Sequence, residues 1–199
     1  IGAKLKNGMK IKKTKIRGEV SYGMLCSEKE LGISEDASGL MELSEDYEIG
    51  TPFAKALGLD DTIIELELTP NRPDALSIIG VARDISALSG NPLKLPEIEF
   101  EESQTKSKEL TSVEIQDPTL CPRYIARIIR NVEIGPSPDW MQTRLKMLGI
   151  GSINNVVDVT NYVLLETGHP LHAFDYHKLA ENRIVVRRAN QGEKIVSLD

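Results

Sequence analysis

Two cysteines, a single tryptophan and no long apolar run are features this 199-residue sequence is short of, and each scarcity closes a route. Cys26 and Cys121 lie far apart and neither belongs to a C-x-x-C pair, so neither a disulfide framework nor a cysteine-rich zinc site is suggested, and a reducing cytosol fits. The richest apolar stretch, Val156 to Leu165, is interrupted by Asp158, Thr160 and Asn161 and falls short of the ~18 residues of a membrane helix. One Trp, five Tyr and three Phe are too few for extensive base stacking, so backbone contact would dominate any binding to nucleic acid. Phosphate-cradling patterns of the G-x-x-x-x-G-K-S/T or G-x-G-x-x-G type do not occur, nor does a G-x-S-x-G elbow. Nucleotide binding by those routes and triad hydrolysis are therefore unsupported. Internal repeats and low-complexity tracts are also missing. The chain starts at Ile1 without an initiator Met or a charged-then-apolar leader and stops at Asp199 just after a strand-like run, and is expected to be a fragment.

What the sequence does have is the make-up of a soluble globular protein, with 40% hydrophobic residues and length for one large domain or two small ones. A formal net charge of -6 argues against a strongly basic nucleic-acid binder, but the charge is unevenly spread. The first seventeen residues hold Lys4, Lys6, Lys10, Lys12, Lys13, Lys15 and Arg17 and no acid, which makes one end a cationic arm or face. From Glu28 to Glu67 twelve acids face only Lys29 and Lys55, so a polyanion would be steered away from that section. Basic residues return at Arg123, Arg127, Arg130, Arg144 and Lys146, then at Arg183, Arg187 and Arg188. The plain reading of each such cluster is a solvated face.

Local patterns divide the chain. Lys10 to Glu19 reads as a strand, and Ser27-Glu28-Lys29-Glu30 as a capping box opening a short helical turn. Thr51-Pro52 starts another short helix that Gly58 closes. Ile63 to Leu68 alternates as a half-buried strand with Ile64, Leu66 and Leu68 inward. After the turn 69–73, Leu76, Ile79, Ala82, Arg83, Ile85 and Leu88 follow mostly helical spacing up to Gly90. Pro92, Pro96 and the acid-rich run to Glu109 place a linker at 96–112. Arg123 to Val132 reads as a strand. Ser137-Pro138-Asp139 then combines a side-chain cap, a first-turn Pro and an acid at the positive pole, predicting a helix that buries Trp140, Met141, Leu145 and Leu148 and ends at Gly149. A second helix over 155–167 carries Val156, Val159, Tyr162 and Val163 on one side and stops at Gly168, and Arg183 to Arg188 closes the series as a strand.

Chemistry-bearing residues gather around that last helix. His169, His172, Asp175 and His177 have the composition of a metal cluster, but Pro170 breaks the helical register that would bring the imidazoles to one face, so no metal site is expected. Glu166-x-x-His169 is half of a di-iron carboxylate motif with no second copy. Thr160 and Asn161 interrupt an apolar helix with donors and acceptors. A hydroxyl bonded back to the preceding turn and an amide at the helix surface would be ordinary. Together with His172 beyond the helix end, they also have the make-up of a small polar pocket beside an apolar wall.

Three stretches together resemble one family, the beta chains of bacterial phenylalanyl-tRNA synthetases. They are Arg17 to Leu31, then Thr69-Pro70-Asn71-Arg72-Pro73-Asp74 continuing to Gly80-Val81-Ala82-Arg83, and finally Asn154 to Tyr162 with Gly168-His169-Pro170-Leu171-His172-Ala173-Phe174-Asp175. The resemblance implies an α+β chain: the C-terminal part of an OB-type tRNA-binding domain at 1–45, a small α/β return segment at 46–95, the linker at 96–112, and the first part of an α+β editing module at 113–199. It implies a heterotetramer of two alpha and two beta chains in the cytoplasm that joins phenylalanine to its tRNA with ATP and Mg2+, the synthetic site lying in the alpha chain. Neither cofactor is expected to bind this fragment, and the fragment alone is not expected to aminoacylate. The chemistry implied for the beta chain is hydrolysis of tyrosine wrongly attached to the phenylalanine tRNA, with Thr160, Asn161, Pro170 and His172 lining the pocket. On this reading Lys10, Lys12 and Lys13 are the candidates for tRNA contact, and no membrane is involved. Two other readings compete: a non-catalytic RNA-binding and assembly scaffold, and a freestanding hydrolase of another aminoacyl-tRNA.

Overall fold

Arg17 and Gly18 both take positive φ, 50° and 92°, the geometry that lets a two-residue turn match the twist of the strands it joins. They connect β1, Thr14–Ile16, to β2, Glu19–Ser21, antiparallel with Thr14 opposite Ser21 and Ile16 opposite Glu19. The single strand expected from Lys10 to Glu19 is thereby corrected: the turn folds its end back, and Lys10 instead faces Lys4 across an isolated antiparallel bridge. The structure is a computed structural model that describes residues 1–43 and 45–196. Its chain divides into two units, Ile1–Ala56 and Leu57–Asp199.

In the first unit α1, Glu28–Leu31, carries the expected capping box. The Glu30 amide donates to Ser27 Oγ at 3.3 Å, and the Ser27 amide donates to Glu30 Oε2 at 2.9 Å. A second short helix, α2, Phe53–Ala56, follows Pro52. Leu5 and Ser27 are buried.

The second unit is built on three helices. The first, α3, spans Ile78–Ser89 and ends at a left-handed Gly90, as the spacing predicts, but Ser77 caps it, so Leu76, expected within the helix, lies in the turn before it. Before it, Arg72 grips Asp74 through Nε and Nη2 at 3.0 and 2.8 Å and reaches Asp84 at 2.6 Å. This double ion pair holds the Arg72 guanidinium well above its ordinary pKa, chiefly through the bond to Asp74. A Cβ on Gly80 would lie 1.7 Å from the Asp74 carbonyl oxygen, so only glycine lets α3 start this close to the preceding turn.

Next in the chain, β3, Ser112–Ile115, begins where the expected linker ends. The helix α4, Asp139–Met147, is followed by α5, Asn155–Thr167, and then by β4, Arg183–Val186. β3 and β4 pair in parallel, Ser112 with Arg183 through Ile115 with Val186, and the α4 and α5 segment supplies the long crossover that parallel strands need. Tyr176 donates its hydroxyl to the Leu110 carbonyl at 2.8 Å, and Thr111 donates to the Asn182 carbonyl at 2.7 Å, tying the strand ends together. Arg188 pairs with Asp117 just past the sheet.

Two expected strands fail for a shared reason. Neither Ile63 to Leu68 nor Arg123 to Val132 forms a strand, because an extended run becomes one only when a neighbour pairs with it, and none does among the described residues. Ile64, Leu66 and Leu68, expected inward, stay 65%, 47% and 36% exposed. In α4 the buried stripe is Met141 and Leu145, four residues apart, whereas Trp140 and Leu148 are largely exposed. Trp140 lies off that stripe and meets Tyr162 edge-on, with ring centroids 5.5 Å apart. Val159, assigned to an apolar face of α5, is also exposed. At the class level the architecture mixes helices with two small sheets, compatible with an α+β chain.

Candidate functional site

The helix that carries the candidate pocket residues is anchored at its start by one buried carboxylate. Asn154 caps α5, its Oδ1 accepting from the amides of Val156 and Val157 at 3.1 and 3.0 Å. One turn on, Asp158 is fully buried, and its oxygens accept from Ser137 Oγ at 2.6 Å, Ser152 Oγ at 2.5 Å and the Ile153 amide at 2.8 Å. Burial pushes this carboxyl up, but the hydrogen bonds from Ser137, Ser152 and Ile153 together outweigh burial and hold it below the ordinary 3.8. The carboxylate also sits at the positive pole of α5, where negative charge is favoured.

This use of Ser137 corrects the cap expected for α4. The helix starts at Asp139 with Pro138 as cap and no side-chain cap bond, because Ser137 turns its hydroxyl to Asp158. Asn155 performs a similar service: its amide and side-chain oxygen bond Gly135 at 2.8 and 3.3 Å, and Nδ2 donates to the Glu133 carbonyl at 2.9 Å. The start of α5 is thus locked to the segments on both sides of α4.

Thr160 and Asn161 follow directly, both half-buried. The Thr160 hydroxyl donates to the Val157 carbonyl at 2.6 Å, which leaves its lone pairs free to accept. At the far end Gly168 takes φ 74° and closes the helix against Ser77. Pro170 and His172 lie beyond it in an exposed stretch without regular secondary structure, where the His172 ring packs against Phe174 with centroids 4.4 Å apart. Among the described residues no hydrogen bond joins Thr160 or Asn161 to Pro170 or His172. Asp175 Oδ1 accepts from the His177 amide at 3.0 Å and so caps a 3-10 turn, Tyr176–Lys178. No group of three or more His, Cys, Asp and Glu side chains among the described residues is placed to hold a metal ion.

Lys10, Lys12 and Lys13 sit on the first unit, exposed, and none has an ion-pair partner among the described residues. Lys13 Nζ stands 4.9 Å from the Tyr22 ring centre. Lys4 lies directly across from Lys10, a like-charge juxtaposition that costs stability unless an anion or solvent relieves it. Lys6 by contrast is 3.6 Å from Glu35.

In the sequence Asp158 reads only as an interruption of an apolar run. The available signal was an ionisable residue inside an apolar helix with two serines upstream, Ser137 and Ser152, able to satisfy it. No helix among the described residues is long and apolar enough to cross a membrane.

Residues 120–199 match the B3/4 domain family. The whole chain is similar to phenylalanine-tRNA ligase beta subunits: 57% identical to that of Syntrophus aciditrophicus, and 55% to those of Syntrophotalea carbinolica and Geobacter sulfurreducens. Each alignment takes in 100% of this chain and 25% of the relative, so the chain spans a quarter of the length of the curated relatives it matches. These homologues are aminoacyl-tRNA synthetases of the ligase class, and the resemblance read from the three sequence stretches is borne out at that level.

Proposed function

We propose that the chain works as part of a phenylalanine-tRNA ligase beta subunit, contributing tRNA contact from its first unit and part of a proofreading pocket from its second. The observation that carries this reading is the similarity that spans the whole chain, joined to the B3/4 match over 120–199, the span that contains Thr160, Asn161, Pro170 and His172. The partners proposed are an alpha chain, in an assembly of two alpha and two beta chains, and the phenylalanine tRNA. The setting is the cytoplasm. ATP and Mg2+ enter through the alpha chain, where phenylalanine is activated, and this chain's residues take no step through either.

A physical argument supports dividing the labour between two sites. A pocket shaped for phenylalanine rejects an analogue that only adds a hydroxyl by about a hundredfold. A second site that hydrogen-bonds the hydroxyl reverses the preference, because phenylalanine would leave buried polar groups unpaired at roughly 1–3 kcal/mol each. In that site the Thr160 oxygen, the Asn161 amide and the His172 ring have the chemistry to orient the ester, the terminal adenosine or a water, with Pro170 as apolar wall. The 1–45 segment is assigned to the end of an OB-type domain and 113–199 to the start of the editing module, with 46–95 as return segment and 96–112 as linker.

The test is release of tyrosine from preformed tyrosyl-tRNA by the complete beta-containing complex. Hydrolysis lost on mutation of the pocket residues, with phenylalanine charging intact, supports the reading. A complex that binds tRNA but never releases tyrosine would leave this chain as an RNA-binding scaffold.

A further inference from the structure

Three helices of the second unit end on a left-handed glycine, and only one of these glycines is pressed from outside. Gly90 and Gly149, at φ 73° and 80°, have open space where a Cβ would stand. Gly168, at φ 74°, does not: a Cβ there would lie 3.3 Å from Ser77 Cβ and 3.4 Å from Ser77 Oγ. The backbone conformation alone accounts for glycine at the first two positions. At Gly168 a side chain would also press on the start of α3 and ask Ser77 to give by a few tenths of an ångström.

Ser77 is poorly able to yield. It is buried, its Oγ accepts from the Gly80 amide at 3.0 Å and donates to the Asp74 carbonyl at 3.3 Å, and Gly80 is itself pinned against that carbonyl. Asp74 is held in turn by Arg72, which also grips Asp84 inside α3. A stiff knot therefore meets α5 at the residue from which the chain leaves the helix, four positions before His172.

We propose that Ser77 is a positioning residue for the proofreading site: through its contact with Gly168 it sets the path of the turn 168–172 and hence the place of His172 relative to Thr160 and Asn161. This rests on the function proposed above. It gives the return segment a part in hydrolysis without contact with the substrate.

The experiment measures tyrosine release from tyrosyl-tRNA and phenylalanine charging side by side in the complete complex. Gly168→Ala is expected to lower kcat for tyrosine release about tenfold, less than a full ångström of misplacement would cost. Gly90→Ala carries the same backbone strain without the contact and is expected to leave release near the wild-type rate. Ser77→Gly removes the facing atoms at little cost to the α3 cap and is expected to restore much of the rate to Gly168→Ala. In a His172→Ala background Gly168→Ala should add little, since both act on one element. Equal losses from Gly90→Ala and Gly168→Ala, or additive losses with Ser77→Gly and His172→Ala, would overturn the inference alone. A wild-type complex inert toward tyrosyl-tRNA would overturn the proposed function together with it. Loss of charging in parallel with release in Gly168→Ala would identify a general folding role and also overturn it.

Discussion

Ser137 donates its hydroxyl to the carboxylate of Asp158 across 2.6 Å, and both residues are buried. The bond joins the entry to α4 with the first turn of α5, and Ser152 and the Ile153 amide complete the shell around the same carboxylate. In a small unit whose buried apolar residues include Ala75, Met141 and Leu145, a satisfied polar centre of this kind fixes how two helices meet.

Replacing Asp158 by Ala should therefore destabilise the chain by about 3 kcal/mol, because the Ile153 amide cannot turn to a new partner and two serine hydroxyls lose theirs. Urea unfolding of wild type and variant reads this directly. A change no larger than that of an exposed surface substitution would show that solvent replaces the carboxylate freely.

The same carboxylate predicts a pH dependence. Its pKa is lower folded than unfolded, so the stability it confers is fully present above 3.8 and is lost as pH falls through the lower folded value. The thermal midpoint should drop in that acid range, and Asp158→Asn should flatten the drop while starting from a lower midpoint. Asp74 and Asp117, depressed by Arg72 and Arg188, leave a residual slope in the variant.

Gly80→Ala tests the knot before α3. A methyl group 1.7 Å from the Asp74 carbonyl oxygen forces backbone movement, with an expected cost of about 3 kcal/mol, the upper end of ordinary overpacking. Gly90→Ala, with open space around it, should cost less. Equilibrium denaturation of the two variants gives the comparison.

Salt dependence tests the cationic face. Neutralising Lys10, Lys12 and Lys13 together should flatten the fall of tRNA affinity with salt in the complete complex, by about 0.7–0.9 log units per lost phosphate contact. An unchanged slope would make these lysines an ordinary solvated face.

In the pocket, His172→Ala and Asn161→Ala should slow removal of tyrosine without abolishing it, since orienting groups are lost and the ester remains. Thr160→Val removes the hydroxyl, with its bond to the Val157 carbonyl, at nearly fixed shape and should act in the same direction. Phenylalanine charging on the same samples should stay near normal. Unaffected hydrolysis in every variant would assign these residues a structural role.

The features legible in the sequence are local. The Ser27 capping box, the stops at Gly90 and Gly168 and the span of α5 are written in neighbouring residues, because capping and left-handed termination depend on groups within a turn of one another. The motifs that point to the family were equally legible, being contiguous. Packing alone settles which apolar residues are covered: Ile63 to Leu68 alternates and Arg123 to Val132 reads as a strand, yet a strand exists only where another backbone accepts it. It alone spent Ser137 on Asp158 instead of on the cap of α4, since a buried carboxylate 21 residues away offers more than a solvent-competed helix end. It also brought Ser77 against Gly168, a contact between residues 91 positions apart that no local pattern encodes, because close approach depends on what two helices leave room for.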